Sequence, residues 1–245
     1  MSPNLPTPSV ALAIGAHPDD VEFGCGATLA KWSAAGAVVH HLICTDGSKG
    51  SWDPTADTAA LVVTRQAEQR AAAVALGATG RCVFLGWPDG ELDSGLRQRW
   101  EIAYWIRALQ PTVVLGHDPW RRYRLHPDHR HAGLLTVEGV VAARDPHFFP
   151  EQALPHHRPD ALLLFEADEP DHVEDVGGFA EAKLAALHAH GSQLLSTMAI
   201  DEGAGPAEVA RQRSAFDART LARLAEHGAD AGVPQGERFK LMADL

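Results

Sequence analysis

The sequence predicts an α/β fold, a mostly parallel sheet flanked by helices with a site at the C-terminal ends of its strands. Short apolar runs alternate with helix-length stretches all along the chain, the order that builds βαβ units. Those runs are continuous rather than alternating, as strands covered on both faces are. Glycine or proline closes several helical stretches.

Taken in order, residues 10–14 read as a buried strand, 22–35 as a helix ended by Gly36, and 38–44 as a second strand. Residues 59–76 form a helix stopped by Gly77, followed by a third strand at 82–85. A helix at 96–109 is closed by Pro111, and a fourth strand at 112–115 leads to a helix at 128–143. A proline- and histidine-rich stretch, 145–159, reads as a long loop within one domain. A fifth strand at 161–165 and late helices at 179–190 and 206–227 complete a Rossmann-like arrangement. No internal repeat or low-complexity tract interrupts it. Ligands of open α/β sheets bind beyond the carboxyl ends of strands, so the segments leaving those ends carry the functional expectation.

Composition narrows the function classes. The chain has 245 residues, 45% hydrophobic and 22% charged, enough apolar material for a full core and too much for dominant disorder. A net charge of -11 repels phosphate backbones and anionic lipid, which excludes a general nucleic-acid or membrane binder. Arg121, Arg122 and Arg124 are a local exception. Three cysteines, Cys25, Cys44 and Cys82, are too few and too scattered for a disulfide framework or a structural Cys-zinc site. They read as reduced thiols of a cytoplasmic protein. The first residues, with three prolines and no basic side chain, are unlike a leader peptide. No apolar run approaches the roughly 20 residues that span a bilayer. The sequence leaves a homo-oligomer open.

Histidine stands out: there are 14, several beside aspartate. Gly-Ala-His-Pro-Asp-Asp-Val-Glu at 15–22 follows the first strand and opens a helix. Helix capping accounts for Asp19 or Asp20, but not for a second adjacent acid or for His17. Paired carboxylates are easier to understand beside a divalent cation, one as ligand and one as base. A dinucleotide site is disfavoured, since Gly24 and Gly26 come after the acids and Leu29 stands where the third glycine belongs. Leu-His-Pro-Asp-His at 125–129 follows the fourth strand. His126 and His129 would be weak evidence alone; on the same rim as His17 they can converge with it on one ion. A His₂-carboxylate set with an open position suits catalytic zinc, and iron, cobalt and manganese take the same ligands.

His17-Pro18-Asp19-Asp20 with the later His126-Pro127-Asp128-His129 resembles the LmbE-like (PIG-L) family of zinc-dependent N-acetylglucosaminyl deacetylases. The likeness continues in order through Thr45-Asp46-Gly47, Arg65 with Glu68, the loop at 85–90, and Lys183 to His190, Ser192 and Gln193. It covers residues 10–195, which implies a single domain over 1–245 with a helical C-terminal extension, 196–245. One departure is that Val21 intervenes before the acid Glu22, whose supporting role is thereby open.

The resemblance implies one Zn2+ per chain on His17, Asp20 and His129, with Asp19 as general base and His126, as an imidazolium, stabilising the oxyanion. It implies sugar contacts from Arg65 and Asp89. Arg65 also fits a solvated i,i+3 pair with Glu68, and Asp93 is an alternative to Asp89. His117, Asp118, Trp120 and Tyr123 stand near the second motif as pocket walls or packing. Asp128 is an acceptor for a ligand histidine or a helix cap. The activity so implied is removal of an N-acyl group, acetyl first, from a small amino-sugar substrate. Alanine- and arginine-rich composition points to a GC-rich bacterial genome, and with it to a pseudo-disaccharide of thiol biosynthesis as a narrower expectation. The alternatives are an amidase on larger conjugates and a non-catalytic, metal-containing sugar-binding module.

Overall fold

Five parallel strands form most of the sheet: β2 (Val10–Gly15), β3 (Val38–Thr45), β4 (Cys82–Trp87), β5 (Val113–His117) and β6 (Ala161–Phe165). The computed structural model describes residues 2–245. Two short strands, β1 (Ser2–Pro3) and β7 (His172–Asp175), pair in parallel at one edge. β8 (Gly236–Ala243) runs antiparallel between β7 and β6, giving the order β1-β7-β8-β6-β5-β2-β3-β4. The mostly parallel, helix-flanked sheet is the expected one. No helix among the described residues is long and apolar enough to cross a membrane.

Alternate strand residues feed two apolar layers. Ala11 and Ala13 of β2 and Leu163 and Phe165 of β6 face helices α1 (Asp20–Ala34), α2 (Thr58–Ala75) and α5 (Ala180–His188). Leu12, Ile14, Leu162 and Leu164 face α3 (Leu96–Leu109) and α4 (Pro127–Arg144). Both faces being covered is why these strands carry no polar alternation. Gly77, at φ 71°, ends α2 in the left-handed region that favours glycine. α6 (Leu194–Met198) and α7 (Pro206–Ala229) follow α5, and Phe216 of α7 packs on Leu187, Leu194 and Met198.

The last strand corrects the expected all-helical extension. α7 forms, but 236–243 enters the sheet. β7 and β8 were also unread because buried charges disguise them. Glu174 and Glu237 are almost fully buried, paired with Lys31 and Lys183. Glu237 has a structural task. α1 kinks at Cys25 (φ −149°, ψ 17°), which frees backbone donors further along the helix. The Glu237 carboxylate accepts from Ala27 N (3.1 Å) and Thr28 N (2.8 Å). Lys183 donates to Glu237 Oε1 (2.6 Å) and to the Phe23 carbonyl (2.8 Å), neutralising the buried acid.

Candidate active site

Strand order reverses between β2 and β5: β3 and β4 lie on one side, β6 on the other. A crevice opens at such a switch point, beyond the carboxyl ends of the strands. The chain leaving β2 carries His17, Asp19 and Asp20; the chain leaving β5 returns through His126, Asp128 and His129. Thr45, ending β3, braces the first loop by donating from N (2.8 Å) and Oγ1 (2.9 Å) to the Ala16 carbonyl.

The two motifs meet. His17 Nδ1 lies 3.2 Å from His129 Nε2, which lies 3.2 Å from Asp20 Oδ1; Asp20 Oδ2 is 3.4 Å from His17 Nδ1. Ligands held at 2.0–2.1 Å in a tetrahedron are separated by roughly 3.3 Å, so this set has the spacing a zinc-sized cation requires. Its electrostatics agree. Burial opposes protonation of His17, but Asp128, Asp20 and Asp89 outweigh it and raise its pKa well above the usual value. Burial likewise opposes ionisation of Asp20, and His129 and His117 outweigh it, holding Asp20 well below the carboxylate range. The cluster is built around positive charge, which a cation can supply in place of protons.

Each ligand candidate is held from behind. His17 Nε2 faces Asp128 Oδ2 and Asp89 Oδ1, both at 3.1 Å. Asp128 also accepts from Gly90 N (2.6 Å) and Leu92 N (3.3 Å), so its carboxylate is an acceptor and not a helix cap. Asp20 Oδ2 accepts from His17 N (2.7 Å) and lies 3.2 Å from His117 Nε2. Arg124 Nη1 lies 3.0 Å from His129 Nδ1 and 3.2 Å from His117 Nδ1. A guanidinium only donates, which assigns the His129 proton to Nε2, the position a cation would take over. Arg124 Nη2 in turn pairs with Glu166 at 2.8 Å.

Asp19 sits at the start of α1 yet makes no capping bond with its side chain. Its backbone is left-handed (φ 106°), its Oδ2 is buried without a hydrogen-bond partner, and Arg65 Nη2 is 3.6 Å away. Burial pushes its carboxyl up, to about 6. A buried acid with a free oxygen beside a cation-sized cluster is placed to exchange protons near neutrality.

His126 is exposed at the mouth. Burial, with His17 and His129 nearby, lowers its pKa, which favours the neutral ring over the expected imidazolium. Its Nδ1 accepts from Asp128 N (3.3 Å), which leaves the proton on Nε2.

Arg65 is buried, not on a solvated face. It donates to the Gly47 carbonyl (2.9 Å) and the Pro18 carbonyl (2.5 Å), while Glu68 accepts from Ser192 N (2.7 Å) and Oγ (2.6 Å). Asp89 Oδ2 accepts from Lys49 N (3.0 Å). Asp93 is exposed and only closes a turn on Gly95 N. Asp118 orders its own loop by accepting from Trp120 N and ties it to the segment after β6 by accepting from Asp168 N. Tyr123 is 93% exposed, away from any wall of the cleft. The arginine cluster divides: Arg121 pairs with Glu166, Arg122 with Asp168, and only Arg124 turns inward. Glu166 was missed in the sequence, being an isolated acid whose only signal was its position just past the fifth strand.

A cleft of about 430 Å³ opens over these groups, bordered by Phe23, Lys49, Trp52, Gln193 and Thr197, with Arg65 and Asp89 in its lining. Residues 12–140 match the family model PIG-L, described as GlcNAc-PI de-N-acetylase. The chain is 36% identical to the diacetylchitobiose deacetylase of Thermococcus kodakarensis, over 74% of this chain and 69% of that protein. It is 31% identical to the 1D-myo-inositol 2-acetamido-2-deoxy-alpha-D-glucopyranoside deacetylase of Streptomyces avermitilis, over 79% of this chain and 71% of that one. Its fold superposes on the N,N'-diacetylchitobiose deacetylase of Pyrococcus horikoshii, solved with an inhibitor, with a TM-score of 0.83 and 28% identity, covering 96% of this chain and 84% of that one.

Proposed function

This chain belongs to the PIG-L family, and we propose that it is a metal-dependent hydrolase that removes an N-acyl group, acetyl first, from a small amino-sugar substrate. The observation that carries the reading is the approach of His17, Asp20 and His129 to within 3.2–3.4 Å of one another, beside an uncapped Asp19. In our reading these three residues hold one zinc ion per chain.

Bound there, the cation would supply Lewis acidity that makes a water nucleophilic near neutral pH. Asp19 accepts the proton of the attacking water and returns it to the departing amine, which would otherwise be a poor leaving group. His126, neutral and protonated on Nε2, donates a hydrogen bond to the acyl oxygen as charge develops on it. Arg65 holds the loops around Asp19 and, with Asp89, orients sugar hydroxyls in the cleft. Asp128 fixes the ring of His17. The buried or half-buried thiols, none in a disulfide, fit a cytoplasmic setting.

Metal analysis of the purified protein, together with acetate release from N-acetylglucosamine, diacetylchitobiose and an N-acetylglucosaminyl-inositol, tests the proposal. One divalent cation per chain and acetate release from at least one of these sugars are expected. Protein that takes up no cation, or that is loaded yet releases no acetate from any of them, overturns it.

A further inference from the structure

Glu22 has no part in the steps above, yet it is fully buried directly behind the candidate base. Around it lie Gln69, His41 and His190, all 0% exposed. Gln69 comes from α2, four residues after Arg65 and so on the same helix face. Its Oε1 accepts from the Asp19 backbone N at 3.0 Å. Its Nε2 donates to Glu22 Oε1 at 2.7 Å and lies 3.1 Å from His41 Nδ1. His190 Nε2 stands 3.3 Å from the other Glu22 oxygen.

This arrangement fixes which way the Gln69 amide points. A carboxylate only accepts, so turning the amide over would set its carbonyl against Glu22 and its NH₂ against the Asp19 N–H. Asp19 needs a fixed partner because its φ of 106° is a costly conformation for a residue with a side chain. An aspartate at a helix start ordinarily relaxes to extended φ and turns its carboxylate onto the first helical N–H groups. Such a cap would take the carboxylate out of use as a base.

We infer that Gln69, oriented by Glu22, is a positioning residue: it holds the Asp19 backbone in its left-handed conformation and so keeps the Asp19 carboxylate off the helix N-terminus and available beside the cation cluster. The inference rests on the proposed role of Asp19 and gives Glu22 the supporting task its motif leaves open.

Backbone amide exchange of the wild-type protein tests the premise without a variant. The Asp19 N–H is expected to be protected although it precedes the helix; exchange as fast as in an open loop overturns the inference. Gln69→Met keeps the length and removes all three polar contacts. It is expected to keep its metal content and a KM within about twofold, while kcat falls at least about tenfold and the Asp19 amide loses protection. Glu22→Gln can donate as well as accept, so it no longer dictates which way the Gln69 amide points, and it is expected to lower kcat and Asp19 amide protection in the same sense as Gln69→Met, with metal content kept. A loaded Gln69→Met enzyme with kcat within about twofold of wild type overturns the inference, and so does one whose loss merely tracks lost metal. Should the wild type deacetylate nothing, the functional reading fails separately, since the exchange measurement does not depend on turnover.

Discussion

His17 and His129 are 112 positions apart in the chain, yet their Nδ1 and Nε2 atoms stand 3.2 Å from each other. Neither strand order nor either motif alone dictates that distance. It arises because β2 and β5 are neighbours in register, Ala11 opposite Val113, so both loops leave the same edge at the same height.

Separating ligand from base is the first test. Asp19→Asn is expected to keep its metal and lose about 10²–10⁴ in kcat. His126→Ala is expected to keep its metal and lose about 10²–10³ in kcat, with KM moving less. Metal content by mass spectrometry beside steady-state kinetics decides. Loss of metal from His126→Ala would make that residue a ligand and undo the assignment.

On the proposed assignment Asp128 acts on the cation through His17, so Asp128→Ala should weaken metal affinity by about 10–100-fold. A chelator competition titration measures this. Unchanged affinity would mean that Asp89, also 3.1 Å from His17 Nε2, orients the ring alone.

Lys183→Met leaves Glu237 buried without its cation. A loss of about 3–5 kcal/mol is expected in urea unfolding. Restricted damage, under about 1 kcal/mol, would show that the Ala27 and Thr28 amides satisfy Glu237 unaided.

Acid should act partly through His227. Burial, and then the charge of Arg238, depress its pKa to about 4. The unfolded chain, with an ordinary histidine near 6.5, binds the proton first on acidification. The stability contributed by neutral His227 is therefore complete above about pH 6.5 and is lost as pH falls towards 4. His227→Gln should flatten the stability profile across that window, read from urea midpoints at successive pH values. A profile as steep as the wild type's would assign the acid sensitivity elsewhere.

The central sheet was legible because its strands are apolar on both sides and its helices end at glycine or before proline. α3 and β6 have the bounds that this punctuation gives. The segments bearing His17, Asp19, Asp20, Asp89, His126 and His129 were legible as rim segments, because each directly follows a strand or reopens a helix. Partnership across the fold was hidden. Nothing local shows that Glu68 reaches Ser192, that Arg124 serves His129, or that Gln69 meets Asp19, since those contacts depend on how α2, α5 and the β5–α4 loop pack. Strands β7 and β8 were hidden for another reason: Glu174 and Glu237 are buried and satisfied by Lys31 and Lys183, distant in sequence, so the hydropathy of those strands is that of a surface.

The antiparallel insertion of β8 has a bearing on synthesis. While the polypeptide emerges from the ribosome, β6 presents an all-apolar edge, Ala161–Phe165, whose final neighbour has yet to be translated. β7 meanwhile has nothing to join it to the rest of the sheet. Nascent protein therefore passes through an interval with a sticky, unpaired border. Premature termination before residue 236 should convert that brief exposure into permanent aggregation rather than into a smaller working enzyme.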